Sequence, residues 1–317
     1  MHVLAAPDKF RGTLTARDAA AAIAAGAVRG GWTAAESPLA DGGEGTLDVL
    51  GGGNRRTAVT GPLGKPVEAE WRLEEDGTAL IEAALACGLT LAGGPAGNDP
   101  LRATSRGVGE LVAAAVAEGA SRIVVAVGGV ASTDGGAGAV DALPSFLPPI
   151  DVACDVEARF LEAAHVFAPQ KGATRDQVTI LRARLARLDV PDLPGSGAAG
   201  GLAGGLAAVG ARLVRGFDLV AERLNLDDRL ARADLVVTGE GLLDATSFTG
   251  KVVGHVVERA RTAGVKTLVI AGEVAANSPI DAISLVERYG PERAFAEPAT
   301  CLTELVATAL ATRRNGP

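Results

Sequence analysis

Between Gly128 and Gly138 the chain reads GGVASTDGGAG, a stretch that can be neither helix nor strand and so must be a loop. The run before it, Arg122 to Val127 (RIVVAV), is short, β-branched and without alternation, the pattern of a buried strand. Upstream, Gly107 to Gly119 carries Leu111, Val112, Ala115 and Val116 at helical spacing and closes on a glycine. Helix, strand and glycine loop in this order follow the grammar of a parallel sheet. In such sheets ligands bind where strand carboxyl ends meet glycine loops. Five glycines in eleven residues let N–H groups approach an oxyanion, and Ser132, Thr133 and Asp134 add side-chain chemistry. A flexible turn is the competing reading. Recurrence of the same punctuation at other strand ends counts against it.

At 317 residues the chain has room for one large α/β domain or two ordinary ones. It is 48% hydrophobic but only 3% aromatic, so Ala, Val and Leu must build the core. No run reaches the ~18–20 apolar residues of a membrane span. The start, MHVLAAPDKF, lacks the basic and apolar regions of a signal peptide. Cys87, Cys154 and Cys301 are scattered, with neither metal spacing nor an even disulfide set, which fits a reducing cytoplasm. A net charge of −8 argues against nucleic-acid or anionic-membrane partners. Small anions remain open to local cations. Of five lysines against 25 arginines, Lys9, Lys65, Lys171 and Lys251 sit beside Gly/Pro punctuation.

Taken in order, Val3 to Ala6 reads as a strand and Ala16 to Val28 as a helix capped by Thr15. Asp8, Lys9, Arg11 and Gly12 fall in the loop between them, where the cations suit an anionic substrate. Asp41-Gly-Gly-Glu-Gly-Thr46 places two carboxylates among glycines at a strand end, a setting for Mg²⁺ or a substrate hydroxyl. Thr57 to Leu73 alternates like a strand, turn and strand, with Gly61-Pro62 and Gly64 at the turn. Thr104 and Ser105 open the helix before the organising strand and suit either phosphate binding or plain capping. Pro169-Gln170-Lys171-Gly172 precedes a helix capped by Thr174. Pro194 to Gly205 is the most glycine-dense stretch and reads as close packing rather than a hinge. Asp234 to Thr238 is a buried strand followed by Glu240, Asp244, Ser247 and Lys251. Strand Thr267 to Ala271 repeats the pattern, and Ser278 to Tyr289 and Thr300 to Arg313 read as closing helices.

These segments, PDKFRGTLTA, PLADGGEGT, GPLGKPV, TSRGVGEL, GGVASTDGGAG, VFAPQKGA, PGSGAAGG and VVTGEGLLDATSFTGK, resemble in this order the bacterial glycerate kinase family that includes 2-phosphoglycerate-forming enzymes. The resemblance implies ATP and Mg²⁺ as cofactors and D-glycerate as acceptor. It also implies two α/β domains with the active site in the cleft. Arg11 stands where the family usually has lysine. The segment from Asp141 to Pro169 is shorter than in typical members, which leads to the expectation of a smaller lid.

The expected fold class is α/β. A discontinuous doubly wound parallel-sheet domain of flavodoxin or Rossmann type covers residues 1–60 and 215–317, and a second α/β domain, 61–214, carries the Gly-rich loop. Substrate binding is assigned to Asp8, Lys9, Arg11, Thr104 and Ser105. Catalysis falls to Asp41 or Asp134 as base. Nucleotide phosphates are assigned to Gly128, Gly129, Ser132, Thr133, Gly135, Gly136, Lys171 and Lys251, and Mg²⁺ to Asp41, Glu240 and Asp244. The expected activity is ATP-dependent phosphorylation of D-glycerate in the cytoplasm, by a chain that could form a homodimer. A kinase for another small hydroxy acid and an inactive nucleotide- or metabolite-binding regulator are the alternatives.

Overall fold

The computed structural model of the chain describes residues 1–10, 12–248 and 250–314. Its strands are β1 (His2–Ala5), β2 (Thr33–Glu36), β3 (Arg55–Thr60), β4 (Pro66–Leu73), β5 (Thr78–Glu82), β6 (Arg122–Ala126), β7 (Ile150–Ala153), β8 (Arg212–Val214), β9 (Leu235–Leu243), β10 (Lys266–Val274) and β11 (Ile283–Ser284). They form two sheets in two compact units, residues 1–41 with 220–317 and residues 42–219.

The first unit holds the sheet β11-β10-β9-β1-β2, parallel throughout. Renumbered within the unit, this is the flavodoxin-like order 2-1-3-4-5, with its switch point between β1 and β9. Both faces are covered, which is why these strands read as unbroken apolar runs. Val3, Ala5, Leu235, Val237, Leu268 and Ile270 pack against helices Ala16–Arg29 and Pro298–Arg314. Val269 and Ala271 point the other way, toward Val253 of helix Val252–Thr262. Thr15 caps the first helix by accepting from the Asp18 N–H.

One expected element changes. The sequence predicts a helix over Ser278 to Tyr289, but Ile283 and Ser284 pair with Ile270 and Ala271 as the edge strand β11. Only Leu285–Tyr289 is helical. The β-branched Ile283 disfavours helix at this point, and a two-residue strand leaves no periodicity to read.

In the second unit, β3-β4-β5-β6-β7-β8, the first two pairings are antiparallel and the rest parallel. The β3–β4 hairpin closes where Gly61 N–H donates to the Lys65 carbonyl at 2.7 Å. Because β3 belongs to this hairpin, the contact division falls after Asp41 rather than near residue 60, and after Leu219 rather than 214. Trp71, fully buried on β4, anchors a core with Ile81, Leu111, Ile123, Val125 and Val152.

The glycine-dense stretch packs, as its spacing implied. A methyl group on Gly200 would stand 2.2 Å from the Ser132 carbonyl oxygen, and one on Gly205 2.4 Å from that of Gly135. Backbone lies directly on backbone, and only glycine permits it. Gly205→Ala is therefore expected to lower the thermal midpoint by several degrees, since overpacking costs about 1–3 kcal/mol. Gly264→Asn, in open space at φ +72°, is expected to stay within about 0.5 kcal/mol of the parent. Thermal unfolding followed by circular dichroism compares the two.

Candidate active site

The first unit gathers candidate groups at the carboxyl ends of β1 and β9, the switch point where open α/β sheets bind ligands. Past β1 the ladder continues: Ala6 N–H donates to the Val237 carbonyl and Asp8 N–H to that of Gly239, at 2.8 and 2.9 Å. Thr238 Oγ1 donates to the Ala6 carbonyl at 2.8 Å. These bonds hold Asp8 beside β9, and its Oδ1 accepts from the Lys9 N–H at 2.7 Å. Loss of hydration pushes the Asp8 carboxyl up to about 7, and the Asp41 charge pushes the same way. The expected substrate and base residues Asp8, Lys9 and Asp41 thus share one region of this unit. Arg11 lies outside the described residues.

Glu240, on β9, is 7% exposed. Its Oε2 stands 3.7 Å from Lys251 Nζ, while its Oε1 is buried with no hydrogen-bond partner among the described residues. Desolvation raises its pKa, and Asp244 adds to that, against the lowering effect of Ser247 and Lys251. Asp244 N–H donates to Ser247 Oγ at 3.1 Å, and Ser247 N–H donates back to Asp244 Oδ1 at 3.2 Å, fixing this corner. A buried carboxylate oxygen with no donor facing it suits a cation. Among the described residues no cluster of three or more His, Cys, Asp or Glu side chains forms a cage. Mg²⁺ does not require one, since it is commonly held by one or two carboxylates plus substrate phosphates and water. The donor set of Glu240 and Asp244 fits that mode.

In the second unit the loop after β6 is built differently from its sequence reading. Asp134 Oδ2 accepts from Ser105 N–H and Ser105 Oγ, both at 2.8 Å, and from Gly138 N–H at 3.3 Å. Its Oδ1 accepts from Gly136 N–H at 3.2 Å. Ser105 Oγ in turn accepts from Ala139 N–H. A carboxylate holding four donors serves as a clamp and has little left for a substrate proton. The same bonds engage Ser105, while Thr104 Oγ1 accepts from Arg106 N–H as a cap. Gly135 N–H donates to the Gly200 carbonyl at 3.0 Å. The N–H groups of Gly135 and Gly136, expected to face phosphate, are thus turned into the protein. Gly128 and Gly129 lie closer to DGGEGT: a methyl on Gly128 would meet the Gly43 Cα at 2.6 Å, and one on Gly129 would meet Glu44 at 3.4 Å. Ser132 and Thr133 are buried, and neither hydroxyl has a partner among the described residues.

Sequence reasoning missed the role of Glu82, a lone carboxylate in an apolar segment. Buried at the end of β5, it accepts from Gly45 N–H and Leu47 N–H, each at 3.0 Å, and so pins the DGGEGT loop. A charge inside an apolar run was the available signal, because buried carboxylates need donors.

Two substitutions separate clamp from chemistry. Asp134→Asn puts an NH₂ where donors converge and is expected to lower the melting temperature by several degrees, at a cost of about 1–3 kcal/mol. Asp8→Asn should act oppositely. The folded Asp8 binds its proton more tightly than an unfolded one, so stability is lost as the pH rises from the ordinary carboxylate range to about 7, and the full cost is present above that. Melting at pH 7.5 is expected to rise by a few degrees in Asp8→Asn while turnover falls.

The model of the glycerate kinase family matches residues 3–147 and 148–311. Glycerate 2-kinase of Escherichia coli (strain K12) is 36% identical, over 93% of this chain and 90% of that protein. Glycerate kinase of Bacillus subtilis (strain 168) is 37% identical, over 88% and 86%. A crystal structure assigned to glycerate kinase 2 from Salmonella typhimurium LT2 superposes with a TM-score of 0.82 at 34% identity, covering 99% of this chain and 98% of that one. The two matched stretches meet at Leu147 and Pro148, on the approach to β7, where Ile123 N–H donates to the Pro149 carbonyl. That is the amino edge of the second sheet, whereas the glycine loop leaves the carboxyl edge. This part of the shortened segment is therefore no lid over that loop. The chain belongs to the glycerate kinase family.

Proposed function

We propose that this chain transfers the γ-phosphoryl group of ATP to a hydroxyl of D-glycerate, giving 2-phosphoglycerate. Family membership over nearly the whole chain supports the acceptor. The observation that carries the phosphotransfer chemistry is Glu240, near Lys251 and Asp244, whose buried Oε1 has no hydrogen-bond partner among the described residues.

Phosphoryl transfer asks for alignment, charge neutralisation and a destination for one proton. Glu240 and Asp244 would hold Mg²⁺, which when bound neutralises charge on the phosphate oxygens. Lys251 adds a cation on the same side. Lys9, at the end of β1, takes the acceptor's carboxylate as a point charge. Asp41 accepts the proton of the attacking hydroxyl, with Asp8 beside it sharing the negative charge. Ser132 and Thr133, whose buried hydroxyls have no partner among the described residues, are two further candidate donors to phosphate oxygens. The proposed setting is the cytoplasm. It is supported by three unpaired cysteines and by the absence, among the described residues, of any helix long and apolar enough to cross a membrane.

Coupled ADP release, measured with D-glycerate, L-glycerate and tartronate in parallel, tests the reading, with the product identified by phosphorus NMR. D-glycerate is expected to be used best and to yield the 2-phosphate. No release above the acceptor-free rate would refute it. Asp41→Asn is expected to lower kcat by ~10²–10⁴-fold. Lys9→Ala should raise KM for glycerate by about tenfold while leaving KM for ATP nearly unchanged.

A further inference from the structure

Lysine is scarce here, so a buried lysine marks a place that arginine does not serve. Lys171 ends the turn Pro169–Lys171, is 5% exposed, and donates from Nζ to the Ser132 carbonyl at 2.6 Å. The slot is narrow. A methyl on Gly200 would stand 2.2 Å from the Ser132 oxygen and 2.9 Å from Nζ, which leaves no space for a planar guanidinium. The lysine backbone is held as well. Asn98 Nδ2 donates to the Lys171 and Ala131 carbonyls at 2.9 and 3.2 Å, tying the turn to the glycine loop.

A trans peptide is planar, with its carbonyl and the following N–H on opposite sides. Holding the Ser132 carbonyl toward Lys171 therefore turns the Thr133 N–H away from it. Resting on the reading of this chain as an ATP-dependent kinase, we propose that Lys171 is a positioning residue that aims the Ser132–Thr133 peptide of the glycine loop from behind. Its ammonium contacts loop backbone rather than phosphate, in place of the direct phosphate contact expected from sequence.

Two titratable groups face Nζ: Cys87, ending helix Ala83–Cys87, and Asp134 in the loop. Burial lowers the Lys171 pKa to about 8, outweighing the raising effect of Cys87 and Asp134. The Cys87 thiol is itself pushed far up by burial and stays protonated. Lys171 is therefore charged below pH ~8 and neutral above it. Losing the charge turns a charge-assisted bond into an ordinary one roughly half as strong. The grip on Ser132 is full at neutral pH and weakens as pH rises through 8.

The test compares wild type with Lys171→Met, which replaces the buried cation by an apolar chain of similar length. Kinetics with ATP and D-glycerate run from pH 6 to 10, and ¹³C-labelled lysine is titrated by NMR, where five lysines give a resolvable set. In the variant, kcat is expected to fall at least tenfold with KM for D-glycerate within twofold. The wild-type decline in kcat near pH 8 should vanish. One lysine signal should titrate near 8 in wild type and be missing from the variant, and melting should shift by only a few degrees. Wild-type kcat and pH profile in Lys171→Met, or every lysine titrating in the ordinary range, would overturn the assignment while leaving the kinase reading intact. A wild type that turns over no acceptor, with a lysine still titrating near 8, would remove the kinase reading and this role together.

Discussion

Close approach of backbone to backbone is the constraint on which the second unit depends. Gly128 lies on Gly43, Gly200 on Ser132 and Thr133, and Gly205 on Gly135 and Gly136. Each contact excludes even a methyl group. Three segments far apart in sequence are thereby stacked into one rigid assembly at the carboxyl edge of the parallel strands of a mixed sheet. Gly135 and Gly136 also adopt φ +69° and +77°, a region that side chains disfavour, so two independent requirements select glycine there. The loop is rigid because of its glycines, although glycine alone would make it loose. Packing supplies what composition removes.

Carboxylates complete the assembly. Glu82 after β5, Asp134 after β6 and Asp155 after β7 each accept backbone N–H groups at the start of a helical segment. Asp155 takes those of Gly216 and Phe217 at 2.8 and 2.9 Å. Helix starts carry unpaired donors and partial positive charge, so a carboxylate satisfies both needs. These three acids serve structure. In the first unit the carboxylates behave differently: Asp8 is pushed up to about 7, and Glu240 keeps an oxygen with no donor among the described residues. Groups whose ionisation costs stability point to function, and here they gather at the β1/β9 switch point.

Much of this was legible in the sequence. RIVVAV, DLVVT and the Thr57–Leu73 hairpin carry strong local patterns, and the structure forms β6, β9, β3 and β4 from them. The edge strand β11 was not legible, because two residues leave no period. Asp41, Glu240 and Lys251 could be flagged as charges beside glycines, and Asp8, Lys9 and Asp244 as charges in the loops that follow strands. The job of Asp134 could not, since an aspartate beside glycines looks the same in sequence whether it faces a substrate or three backbone N–H groups and a serine hydroxyl. Gly135 and Gly136 were misread for the same reason: an N–H aimed at phosphate and one aimed at the Gly200 carbonyl differ only in tertiary structure.

Amide hydrogen exchange at Gly135 and Gly136 in the ligand-free protein tests most directly whether packing prebuilds the loop. Both amides point inward, to the Gly200 carbonyl and to Asp134 Oδ1. If the stack holds them, they exchange at least ~10³-fold more slowly than an unstructured chain, approaching the protection of Val125 inside β6. Exchange within about tenfold of the unstructured rate would mean that the loop is mobile until ligand arrives, and would contradict the account.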